Sequence, residues 1–124
     1  MRFIRFQAVE ANARGSRVGV FGLVNGLARR GVLAEADEAF RRDNNSWYDH
    51  NYTNPSEAMP DVYDHDLNPQ ATAWFKASAT HLLTRVDGYM AILASHRTAC
   101  ERVESDDPGR IIYEDDDQIV VVPY

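Results

Sequence analysis

Three groups of residues have the types and spacing to do chemistry. The first is the turn Asn12-Ala13-Arg14-Gly15-Ser16-Arg17. A helix starting here would present unpaired amides and a partial positive charge, and Arg14, Ser16 and Arg17 would add donors suited to phosphate or carboxylate. No Gly-Lys-Ser/Thr follows and no Gly-x-Gly-x-x-Gly occurs, so neither common nucleotide loop is present. The competing reading is an ordinary capped turn with solvated arginines.

The second group is aromatic. Trp47, Tyr48, Tyr52, Tyr63, Trp74 and Phe75 put six of the thirteen aromatic residues within positions 47–75. With Asn44, Asn45, His50 and Lys76 they make the mixture of apolar wall and sparse polar groups that lines small-molecule pockets. Ligand contacts are expected from Asn44, Trp47, Tyr48, Tyr63 and Trp74. Lys76 is the single lysine beside twelve arginines, and a lysine can serve as a base or Schiff-base amine where arginine cannot. His50 is the second candidate for acid–base work. The alternative is a satellite hydrophobic core beneath a loop, with Lys76 solvated.

The third group is Asp61, Asp64, His65 and Asp66. Carboxylate and imidazole are metal donors, but this spacing matches no calcium loop or zinc-protease pattern. His50 and His81 could complete a site only if the fold brought them near. A solvated acidic loop is the simpler reading, and no metal or cofactor is implied. Cys100 is the only cysteine, which excludes an internal disulfide and reads as a small hydrophobe in a strand. No Gly-x-Ser-x-Gly elbow is present.

The elements that must position these groups follow from periodicity. Residues 2–9 alternate as a strand. A first helix is expected from Ser16 or Arg17, with Ser16 as N-cap, to Arg30, stopped by Gly31. Val20, Leu23, Val24 and Leu27 form its apolar stripe, and Gly22 and Gly26 would allow another element to approach. A second helix spans Glu35 to Asn51, antiparallel to the first across Gly31-Val32-Leu33, with Glu35, Asp37 and Glu38 complementing its dipole. Asn44 and Asn51 fall on or beside its apolar face, so it buries polar groups or borders a cavity.

Residues 52–68 show no period, and a loop this long is often functional. Asn68-Pro69 reads as the start of a third helix running to Arg85, with Trp74, Phe75, Ser78, Leu82, Val86, Tyr89 and Leu93 inward. A break at Asp87-Gly88 would then precede a shorter helix ending near His96. Residues 99–105, 110–114 and 118–123 read as strands of a three-stranded antiparallel meander. Ile119-Val120-Val121-Val122 is apolar on both faces, which calls for helices on both sides or a second subunit. The fold class is α+β, one domain over residues 1–124, with helices packed on the sheet.

Composition bounds the function. The chain has 124 residues, 44% hydrophobic and 26% charged, with a net charge of -6. That is an ordinary globular domain, long enough to bury a core unaided. Residues 1–42 hold eight Arg against four acids, while residues 101–124 hold two Arg against eight acids, so opposite ends carry opposite signs. No run of eighteen apolar residues exists to cross a bilayer, and the alternating N-terminus does not resemble a signal peptide. A cytoplasmic location is expected. The excess of Arg over Lys suits a GC-rich bacterial genome.

The expected function is binding of a small anionic or aromatic molecule, or of a protein partner, beside residues 47–75. An enzyme using the same cavity, through Lys76, His50 or a carboxylate of Asp61–Asp66, is one alternative. An adaptor or homo-oligomer associating through the C-terminal sheet is the other. Neither a membrane nor a nucleic acid is expected as partner, since the basic helix pair is outweighed by acid elsewhere. A gel shift with duplex DNA at low salt should show no tight complex; one that withstood added salt would overturn this.

Overall fold

Short apolar strands with two-residue alternation close into one sheet, and the longer 3.6-period segments lie across it. The computed structural model describes residues 1–124. The strands are β1 (Phe3–Ala8), β2 (Thr72–Lys76), β3 (Cys100–Ser105), β4 (Arg110–Glu114) and β5 (Gln118–Val122). The helices are α1 (Val20–Arg29), α2 (Glu35–Asn51), the single turn α3 (Pro55–Ala58), the short α4 (Thr80–Thr84) and α5 (Val86–Ser95). No helix is long and apolar enough to cross a membrane.

The sheet order is β3-β1-β2-β5-β4, with every neighbouring pair antiparallel. This corrects the C-terminal meander. The β4–β5 hairpin forms around Asp115-Asp116-Asp117 as expected, but β3 leaves it and pairs with β1 along six residues, Phe3 opposite Ser105 to Ala8 opposite Cys100. The expected helix at Pro69 is also absent. Gln70 takes φ 58° in a turn, and Thr72–Lys76 becomes β2 between β1 and β5. Trp74 and Phe75, expected on one helix face, therefore point to opposite faces of the sheet. The helical break falls at Arg85, between α4 and α5; Gly88 lies inside α5, where the ring of Phe40 occupies the space a Cβ would need.

Helices cover one face only. Ile4, Phe6 and Phe75 from the sheet meet Val20, Val24 and Leu27 of α1, Tyr48 of α2, and Leu82, Val86, Tyr89, Ile92 and Leu93 of α4 and α5. Each such aliphatic side chain contributes about 1.5–3 kcal/mol on burial. The sequence places α2 correctly, and its expected polar burial is there. Asn44 is buried, donating to the Arg85 carbonyl at 3.1 Å and accepting from Arg85 Nη1 at 2.8 Å. α1 starts later than expected, at Val20, with Gly19 as an N-cap that supplies no side-chain bond. Gly22 faces only Val18 and Gly26 only Arg29, so neither glycine admits a neighbouring element.

The other face buries Phe3, Ile119 and Val121 beneath Trp74 without any helix. Connectivity supplies the reason. The chain passes from β3 at one edge to β4 at the opposite edge between Ser105 and Arg110. Across a flat sheet that is four strand spacings, roughly 19 Å, whereas five residue steps reach at most about 18 Å. The sheet must therefore curl, enclosing Phe3, Ile119 and Val121 on its concave side. Pro108 of the connection accordingly shares a cavity with Gln7, Thr72 and Trp74. The doubly apolar β5 thus needs neither a second helical layer nor a second subunit.

In the helical layer Tyr48 hydroxyl donates to the Leu82 carbonyl at 2.6 Å, and burial pushes its pKa up. Tyr48→Phe leaves that carbonyl without its donor. The expected loss is about 1–2 kcal/mol, read as a lower urea midpoint with an unchanged m-value.

Candidate functional site

A strand pair that opens early creates the site. β1 and β2 pair only at Phe3–Lys76 and Ile4–Phe75. Beyond that, Gly19 bridges to Gln7 and the Ala8 amide donates to the Val18 carbonyl at 2.8 Å, so the segment before α1 borders β1 in place of β2. Arg5 lies at the opening. Its Nη1 donates to Ala73 O at 3.0 Å, Nη2 to Arg17 O at 2.9 Å and Nε to Gln7 Oε1 at 2.9 Å. All three acceptors are neutral, and Arg5 belongs to none of the ion pairs of the chain. Gly19 permits the arrangement, because a Cβ there would stand 3.3 Å from Arg5 Nη2.

Above the opening is a cavity of about 180 Å³ between the sheet and the segment after α2. Phe6, Ala73 and Phe75 form its base, Phe21 and Val20 one wall, and Tyr52, Pro55 and Tyr63 the cover, with Arg5 and Gln118 as its polar groups besides the tyrosine hydroxyls. The aromatic walls are braced from behind: Tyr52 packs on Phe75 with ring centres 5.2 Å apart, and on Tyr48 at 6.1 Å. Burial lowers the Arg5 pKa and raises those of Tyr52 and Tyr63. No hydrogen bond contributes to either tyrosine shift. Arginine remains charged at neutral pH despite its shift.

Gln118 is fully buried. Its Nε2 donates to Thr53 O at 2.7 Å and to Asp115 Oδ2 at 2.9 Å. Both partners are acceptors, so the amide orientation is fixed and Oε1 is left as the one buried side-chain polar atom without a partner. A buried acceptor in that state costs about 1–3 kcal/mol.

The sequence-expected residues divide by location. Tyr63 lines the cavity, as do Tyr52 and Phe75 of the aromatic group; the other candidates do not. Asn44 and Tyr48 are structural, and Trp47 stacks on the Arg85 guanidinium, 4.1 Å from ring centre to Cζ. His50 is exposed on the outside of α2, its Nδ1 2.7 Å from Ser46 O. Lys76 is buried on the concave side of the sheet, with Nζ 2.6 Å from Glu114 Oε2. The Asn12–Arg17 turn does not cap α1, whose N-cap is Gly19, and Asn12 Oδ1 already accepts from the amides of Arg14 and Ser16. Those amides are therefore unavailable to an anion. Ser16, Arg17 and Trp74 do meet, at a separate cavity of about 220 Å³ on the concave side. Asp61, Asp64, His65 and Asp66 follow one another through turns in which Asp64 Oδ1 accepts from the amides of Asp66 and Leu67. No three His, Cys, Asp or Glu side chains gather as a metal site.

Arg5 and Gln118 were missed. Each left a trace, as a polar residue inside an apolar strand, but nothing local shows that they share a cavity. No family model, curated protein or solved structure matches the chain.

Asp115 holds Gln118 in place. Burial opposes its ionisation, yet bonds from Tyr113, the Asp117 and Gln118 amides and the Gln118 side chain keep its carboxyl below the usual range. Its contribution is complete above the unfolded value of about 4 and is lost as pH falls through the lower folded value. The melting temperature should drop over that acid range, and Asp115→Asn should flatten the drop. An unchanged acid profile in Asp115→Asn would remove this role.

Proposed function

We propose that this protein binds a small aromatic or cyclic carboxylate in the Arg5 cavity. The observation that carries the reading is a half-buried guanidinium that belongs to no ion pair, at the border of an aromatic-walled cavity. A partly buried cation gains from an anion brought out of water beside it. Arg5 retains N–H donors beyond the three it uses. Size narrows the class. A cavity of about 150 Å³ holds one benzene ring, so 180 Å³ suits one ring with a small charged substituent.

The protonation states of the lining favour retention of a ligand over acid–base chemistry. Arg5, Tyr52 and Tyr63 are its only titratable side chains, and all three keep their protons at neutral pH. Lys76 and His50, the groups suited to proton transfer, lie elsewhere. Neutral ligands are distinguished from anionic ones by the same guanidinium.

Calorimetry or NMR titration with benzoate and its neutral isostere benzamide tests the reading. Benzoate should bind with a Kd in roughly the micromolar to millimolar range, at least about tenfold tighter than benzamide. Ala73→Leu, which fills the cavity while keeping the backbone carbonyl that Arg5 uses, should abolish binding without loss of fold. Equal affinities, or no benzoate binding at millimolar concentration, would overturn the proposal.

A further inference from the structure

Arg5 and Gln118 lie on either side of β2. Arg5 comes from β1, Gln118 from β5, and the base of the cavity between them is Ala73 and Phe75 of β2 itself. The Arg5 guanidinium extends from β1 to Ala73 O of β2, one strand spacing of roughly 5 Å from β5, so a ring on that base meets a polar group at each end. The two ends differ in sign. Arg5 can only donate, whereas Gln118 can only accept, because both hydrogens of Nε2 are held by Thr53 O and Asp115 Oδ2. Its Oε1 has no donor and almost no accessible surface, so a ligand hydrogen reaches it only as the side chains around it give way. None of the neighbouring donors, the hydroxyls of Tyr52 and Tyr63 included, reaches it.

We infer that the ligand is an aromatic carboxylic acid carrying an O–H or N–H donor on its far side, and that Gln118 selects it by accepting that hydrogen. This rests on the carboxylate reading of the Arg5 cavity and adds a second, independent requirement. A ligand lacking the donor leaves Oε1 unpaired as in the empty protein. A ligand with an acceptor in its place meets two lone-pair groups without a hydrogen between them. Discrimination by a buried polar group left unpaired is stronger than discrimination by size. Asp115 and Thr53 act as positioning residues, since they decide which atom of the amide remains free.

The full chain is titrated with benzoate, the three hydroxybenzoate isomers and the matching methoxybenzoates. At least one hydroxy isomer should bind roughly tenfold tighter than benzoate, and its methoxy counterpart should not. The Gln118 side-chain amide resonances should shift with that hydroxy acid beyond the shift produced by benzoate. In Gln118→Met the ratio of hydroxy-acid to benzoate affinity should shrink to about twofold or less. If that variant does not fold, the wild-type hydroxy and methoxy pair and the amide shifts decide the question. Benzoate binding with no tighter hydroxy isomer would overturn the selection by Gln118 and leave the carboxylate reading standing. A hydroxy advantage that survives in folded Gln118→Met would overturn it equally. Failure of every acid to bind would overturn both.

Discussion

A guanidinium stands where a β-ladder would otherwise continue, and the remaining architecture follows from that break. β1 and β2 share two residue pairs; beyond them Arg5 supplies the hydrogen bonds that the missing pairs would have made, donating to Ala73 O on β2 and Arg17 O ahead of α1. Backbone carbonyls inside a sheet must be satisfied, so the split persists only because a side chain reaches into it. The opening lets Phe21 of α1 and Tyr52 after α2 stand beside a cavity that an unbroken sheet and a flush helix would have closed.

The opposite border of the cavity depends on a second polar chain. Asp115 accepts from the Asp117 and Gln118 amides, which shapes the β4–β5 turn, and from the Gln118 side chain, which then donates to Thr53 O. One carboxylate thus couples the hairpin to the start of the covering segment. That segment has its own anchors: Val62 is fully buried, and Asn68 Nδ2 reaches the carbonyls of Asp61 and Val62. The acidic run at residues 115–117 owes its place to the hydrogen bonds that Asp115 accepts.

Charge is sorted by this topology. β3 pairs with β1, which brings Glu104 to Arg2 at 3.0 Å, while the acidic hairpin is kept from β1 by β2. Lys76 meets Glu114 on the concave side, where the strands curl toward each other. The exposed Arg2–Glu104 pair contributes little to stability. Of the arginines in the basic first third only Arg2 pairs with an acid of the C-terminal segment, and Arg5 is left without one.

Local physics was enough to determine α2, the hairpin around Asp115-Asp116-Asp117, β1, and an aromatic concentration near the cavity. These depend on periodicity, turn chemistry and composition, which a short window contains. β2 was not legible, because Thr72-Ala73-Trp74-Phe75-Lys76 lies among alanines, matches a helical stripe as well as a strand, and becomes a strand only through β1 and β5. The position of β3 beside β1 was hidden for the same reason, and with it the curl that buries Ile119 and Val121. Tyr63 lines the Arg5 cavity, whereas Lys76 and Trp74 lie on the other side of the sheet, since a strand sends alternate residues apart where a helix would have grouped them. Arg5 and Gln118 are separated by 113 positions of sequence. Only sheet order sets them on either side of one strand, and only the hydrogen bonds of Asp115 and Thr53 decide that the free atom between them is an acceptor.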